Sequence, residues 1–265
     1  MEITVGTQVN FVTDGPIGRV QLHTENGVQL LGADTREQLR QTLTEIARHD
    51  DLSVVVFEST GRTFIAGADI NELRALNPET AYENSREGQA VMGQIAALPF
   101  TTIAAIHAAC AGGGTELALA CDMRLAASSA VIGLPETRIG VIPGWGGTVR
   151  ATRLLGSAVA RRMILTGELL PAATALQLGL IDELVPDDEF RDAVERRIAM
   201  VLGRGPHARD TASKLLAAFE GPDPETQFEA EARAFAACYQ TNEPETGMAA
   251  FLDKQPADWQ LPPGP

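Results

Sequence analysis

Apolar residues at every second position open the chain. Ile3 and Val5, Val9 and Phe11, then Val20 and Leu22 keep the period of half-buried strands, and Asp14-Gly15-Pro16 supplies a turn. The spacing then changes. Leu39, Leu43 and Ile46 recur at helical intervals over 35–48, with Asp34 or Thr35 as the candidate cap. Residues 53–57 and 101–106 are almost wholly apolar, as strands covered on both faces are. Between them, 82–98 reads as a helix. Strands are expected again at 123–126, 131–132 and 182–185, and helices at 148–154, 157–165, 171–176 and 187–202. From 208 onward the pattern is helical only. The chain therefore divides into an α/β core over 1–203 and a C-terminal helical region over 204–265, with the seam at 203–206.

A length of 265 residues suffices for one substantial core. The formal net charge of -14 argues against nucleic acid or an anionic membrane as partner, because both need a basic face. Cys110, Cys121 and Cys238 are widely spaced and form no C-x-x-C, which suits buried thiols in a reducing compartment better than disulfides or a metal site. The N-terminus shows no basic stretch followed by an apolar run. The apolar run 103–111 is about half a membrane span and contains His107. A cytoplasmic protein without membrane segments is the expectation.

Candidate chemistry begins at Gly112-Gly113-Gly114-Thr115-Glu116. Each glycine would cost roughly 1 kcal/mol in a helix interior, so the three mark a tight turn, and the good helix formers behind them mark a helix start. Amide N-H groups at such a start lack partners and attract an oxygen bearing negative charge. Glu116 stands beside them. Alone, the stretch could equally be an ordinary loop followed by a favourable first-turn acid. A second glycine-rich turn, 140–148, carries no P-loop lysine, and the third glycine of a dinucleotide fingerprint is absent. His107 reads as a structural histidine or a base, and Trp145 as core or pocket wall.

Several stretches taken in order, 64–70 (Phe-Ile-Ala-Gly-Ala-Asp-Ile), 112–118, Leu134-Pro135-Glu136, 140–147, 178–182 and 247–252, resemble the enoyl-CoA hydratase/isomerase (crotonase) family, and most closely its hydratases. The resemblance implies a spiral of ββα units with a C-terminal helical region that makes trimer contacts, in a homotrimer or a homohexamer of two trimers. It implies an acyl-CoA thioester as substrate, with no metal and no cofactor beyond the coenzyme A of the substrate. It places the oxyanion-hole amides at Ala68 and Gly113 and the catalytic acids at Glu116 and Glu136. Substrate or coenzyme A contacts fall on Ala66, Ala68, Asp69, Ile70 and Gly144. Keeping both acids favours addition of water to a 2-trans-enoyl-CoA, giving a 3-hydroxyacyl-CoA. Alternatives within the fold are double-bond isomerisation or decarboxylation, and outside enzymes an acyl-CoA-binding subunit. Two departures stand out. An Arg-Pro common near the first helix is replaced in 23–33, and Asn71 stands where a lysine is usual. The phosphates would then rely on Arg74, or on Lys254 from a neighbouring subunit, and another acyl carrier becomes an option. Two carboxyls around one water are expected to share a proton, with one pKa raised.

Overall fold

The computed structural model describes residues 6–218 and 224–259; Ile3 and Val5 lie outside them. The chain runs through a hairpin, β1 (Gln8–Asp14) and β2 (Ile17–His23), then α1 (Ala33–Ile46), β3 (Val54–Ser59), β4 (Thr63–Ile65), α2 (Ile70–Arg74) and α3 (Pro78–Ala96). Next come β5 (Thr101–Ile106), β6 (Ala109–Ala111), α4 (Gly113–Ala118), β7 (Met123–Ala127) and β8 (Val131–Gly133). A 3-10 turn at Glu136–Ile139 precedes α5 (Gly147–Thr166), β9 (Leu169–Pro171), α6 (Ala172–Gln177), β10 (Glu183–Val185) and α7 (Phe190–Leu202). Three helices follow, α8 (Pro206–Ala218), α9 (Pro224–Cys238) and α10 (Glu243–Leu252). Among the described residues, no helix is long and apolar enough to cross a membrane.

One sheet has the order β1-β2-β3-β5-β7-β10 and the other β4-β6-β8-β9, so from β3 to β8 successive strands alternate between the two sheets and each strand pair contributes one strand to each layer. The pairings from β2 to β10 are parallel, as are β4–β6 and β6–β8. This explains the apolar runs. Val55 and Phe57 of β3 enter the main core between the layers, while Val54 and Val56 meet Val194, Ile198 and Val201 of α7 on the other face. Both faces of the strand are dry, so hydrophobic alternation vanishes.

The strand expected at 101–106 is β5. The three-residue strands β4, β6 and β9 are new; none is long enough to show a period of two. The helix expected from 82 begins at Pro78, because Asn77 and Thr80 form a reciprocal capping box. Expected helices at 148–154 and 157–165 are one element, α5, interrupted at Gly156 with φ 75° and ψ 162°.

Neither Asp34 nor Thr35 caps α1. The Thr35 hydroxyl donates instead to the Thr7 carbonyl, and the helix start is closed from α2, where the Glu72 carboxylate accepts the Ala33 N-H at 2.9 and 3.0 Å. A distant carboxylate satisfies the orphan donor and complements the helix dipole. Glu72→Ala is expected to lower stability by about 1 kcal/mol, read as a lower urea midpoint with unchanged slope.

Candidate active site

The site grows from the ends of two neighbouring parallel strands. Beyond β4, Ala66 donates its N-H to Gln29 O and Gly67, at φ +125°, accepts from Leu31 N. Beyond β6, Gly112 at φ +53° donates to Gly133 O. A Cβ on Gly67 would lie 3.4 Å from Ala111 O, and one on Gly112 3.8 Å from Gly67 Cα, so the two loops run side by side. The next residues are Ala68 and Gly113. Among the described residues no protein acceptor takes either amide hydrogen. Both residues line a cavity of about 710 Å³.

Each glycine of the 112–114 turn has a different reason. Gly112 needs the positive φ. A Cβ on Gly113 would overlap Cζ3 of the Trp145 ring, and one on Gly114 would overlap Ile65 O of β4. These approaches bring α4 hard against the sheet and set Glu116 in its first turn.

Glu116 is 2 % exposed. Its Oε1 accepts two amide hydrogens, from Trp145 at 2.7 Å and Gly147 at 2.8 Å. Burial raises its pKa, while those amides and the Arg150 charge pull it down. The donating turn is itself clamped. Ser85 and Gln89, one helical turn apart on α3, both donate to Gly144 O, and Arg150 Nη1 donates to Trp145 O.

Glu136 opens the 3-10 turn after β8. Its Oε1 lies 3.2 Å from where a Cβ on Gly112 would stand, beside the start of α4. Neither carboxyl oxygen has a well-formed hydrogen bond among the described residues. Burial foremost, with the Glu116 charge adding, pushes its pKa up to about 7 against the pull of its own amide. The two acids therefore differ in kind. One is buried but held by two N-H groups; the other is half-buried and bare.

Of the residues singled out in the sequence, Ala66, Ala68, Ile70, Gly113, Glu116, Glu136 and Gly144 all line the cavity. Asp69 does not: its carboxylate accepts the Asn71 N-H at 2.8 Å as the cap of α2. Trp145 is both core and wall. His107 places Nε2 3.1 Å from Gly61 O and faces a separate cleft on Arg19, Glu58 and Glu195, away from both acids. Arg74 ends α2 and is exposed. The apolar walls Ile139, Ile142 and Leu169 and the clamp of Ser85 and Gln89 had no signal in the sequence, since Ser85 and Gln89 meet the Gly144 carbonyl from a remote segment.

The sequence profile described as Enoyl-CoA hydratase/isomerase matches residues 13–262. The chain is similar to the crystal structure of enoyl-CoA hydratase from Bacillus anthracis, at 31% identity and TM-score 0.88, covering 96% of this chain and 98% of that one. It is similar to Pseudomonas aeruginosa DspI, at 30% identity and TM-score 0.88, covering 95% and 96%. It also resembles an enoyl-CoA hydratase/carnithine racemase from Magnetospirillum magneticum, at 28% identity and TM-score 0.87, covering 95% of each chain.

Raising the Glu136 pKa from 4.5 to about 7 means that the folded state binds the extra proton between those values. Its stabilising contribution is complete below 4.5 and is lost as pH rises through 7. Glu136→Gln removes the penalty of burying a bare anion. Its urea midpoint is expected to exceed that of the wild type at about pH 8, with the gap closing toward about pH 4; a gap independent of pH would contradict the assignment.

Proposed function

Because the chain belongs to the enoyl-CoA hydratase/isomerase family, we propose that this cavity adds water to a 2-trans-enoyl-CoA, giving a 3-hydroxyacyl-CoA. The thioester oxygen sits between the Ala68 and Gly113 amides. Those hydrogens have no other acceptor among the described residues and need not move when negative charge develops on the oxygen, which is the condition for stabilising a transition state over a ground state.

One carboxyl must accept a proton while the other delivers one. Glu116, whose anion is held by two N-H groups, takes the proton from water as its oxygen joins the β-carbon. Glu136 begins protonated and delivers its proton to the α-carbon of the enolate. The pair starts with the proton on Glu136 and ends with it on Glu116, and exchange with solvent restores the start. No group beyond the chain, the substrate and water is needed for this balance. The contrast between the two carboxyls carries the reading: burial presses on both, but among the described residues only Glu116 has well-formed hydrogen bonds from a remote turn, so a single shared proton resides on Glu136.

The bare Glu136 also supports a second reading. Alone, it could carry a proton between the α- and γ-carbons, and the protein would then be a double-bond isomerase with Glu116 as a spectator. For the rest of the substrate, the backbone from Ala66 to Ile70 receives the coenzyme A end, and Arg74, or Lys254 of a neighbouring subunit, meets its phosphates. The C-terminal helices leave Phe228, Phe235, Tyr239, Phe251 and Leu252 exposed, a set of large apolar groups that suits burial between copies in a trimer.

With crotonyl-CoA the wild type is expected to consume enoyl absorbance, and Glu116→Gln and Glu136→Gln each to lower kcat by roughly 10²- to 10⁴-fold. If Glu116→Gln instead keeps full conversion of a 3-enoyl to a 2-enoyl thioester, and the wild type hydrates nothing, the isomerase reading replaces this one. Sedimentation is expected to show three or six chains, and Phe251→Glu to shift that mass downward.

A further inference from the structure

Trp145 is 4 % exposed and packs as core, yet its ring walls the cavity. The indole lies in a slot between two helices. On the α3 side a Cβ on Gly88 would overlap Cδ1 and Cγ of the ring; on the α4 side a Cβ on Gly113 would overlap Cζ3 and stand 2.8 Å from Cε3. At both positions a Cβ would collide with the ring, so only glycine leaves it room. The Arg36 guanidinium covers it at 5.1 Å from the ring centroid. That side chain is 6 % exposed, donates to Leu31 O at 3.0 Å, keeps Glu87 and Glu72 only at 3.7 and 3.9 Å, and leaves Nε unpartnered. At the edge, indole Nε1 donates to Asn84 Oδ1. A buried cation over the ring thus makes the slot favourable to a π system.

The indole shares one cavity with Gly113 and Glu116. Gly113, which bounds the slot, supplies one amide to the thioester oxygen, and the Trp145 N-H ends on the Glu116 carboxylate that receives the proton from water. With the thioester oxygen at Gly113 and the attacked carbon at Glu116, as the hydratase reading has it, what an acyl group carries at its β-carbon meets the cavity wall that the indole forms. A flexible unbranched chain can turn away along Ile142 and Leu169, whereas a rigid ring joined to the double bond cannot.

We propose that Trp145 is a specificity-determining residue: it fills the glycine-floored slot between α3 and α4, and so restricts the site to acyl groups that carry no ring on the β-carbon. This rests on the hydratase reading for the placement of the thioester. Removing the indole leaves a flat vacancy, floored by Gly88 and Gly113 and covered by Arg36, that a β-phenyl group fits.

The test measures binding of two saturated thioesters, butyryl-CoA and 3-phenylpropanoyl-CoA, to the wild type, Trp145→Ala and Trp145→Phe by calorimetry. Saturated ligands need no turnover. The wild type is expected to favour the butyryl thioester by at least about tenfold, and Trp145→Ala to move that ratio toward the phenyl ligand by at least about tenfold. Trp145→Phe, which sheds one ring of the indole, moves it by about threefold. A ratio unchanged in Trp145→Ala, or equal affinities in the wild type, overturns the proposal. Should a thermal melt show that Trp145→Ala does not fold, an unchanged ratio in Trp145→Phe overturns it equally. Turnover of crotonyl-CoA and cinnamoyl-CoA separates the two readings. A shifted binding ratio without any hydration leaves the slot standing and removes the hydratase, while brisk hydration of crotonyl-CoA with an unmoved ratio does the reverse.

Discussion

A carboxylate taken out of water must find donors, and Glu116 finds them in the backbone of a turn 29 and 31 residues farther along the chain. That bond joins α4 to the head of α5. It holds the 144–147 turn in place, and with it the indole of Trp145 against Gly88 and Gly113. The other attachments of the turn follow. Ser85, Gln89 and Arg150 take up its carbonyls, so that a loop lining an open cavity is bound by hydrogen bonds on both its donor and its acceptor side. Such rigidity is what a positioned acid or base requires, because a misplacement of about 1 Å can cost about 10²-fold in rate.

The two-layer spiral supplies the complementary half. Parallel neighbours end at the same level, so β4 and β6 release their chains side by side, and each chain leaves the strand through a glycine of positive φ. Such exits leave amides that the ladder does not use. In most places the protein satisfies them: Gly112 N bonds to Gly133 O, and Ala66 N to Gln29 O. At Ala68 and Gly113 it does not. An unpaired donor facing an apolar cavity is a local cost to stability, and sites that bind charge retain such costs. The bare carboxyl of Glu136 is a second instance in the same cavity, and the Glu116 charge nearby raises its pKa further.

Much of the frame was legible in the chain. β3 and β5 announce themselves by unbroken apolar runs because α7 and the main core cover both faces of the sheet. The head of α3 was placed at 82 rather than 78, because the local exchange of hydrogen bonds between Asn77 and Thr80 was not read. The three-residue strands β4, β6 and β9 left no period to detect. The cap of α1 was misread for another reason: Asp34 and Thr35 have the right chemistry, but Glu72 of α2 reaches the helix start first and Thr35 is drawn to Thr7. Asp69 likewise caps its own helix, although its place in the motif suggests a ligand contact.

By itself, the amino-acid order determined the layered α/β frame, the two glycine turns and the two acids at 116 and 136, since these rest on local conformational preference and on residue chemistry. Only the folded chain decided how the acids differ. Donors for Glu116 come from a remote turn, and among the described residues no such turn reaches Glu136, so burial raises the Glu136 pKa to about 7. The same holds for Trp145. Its ring is flat in any context, but a glycine 57 positions earlier and another 32 positions earlier, with Arg36 over the ring, seat it in the cavity wall, and such meetings depend on packing between distant segments.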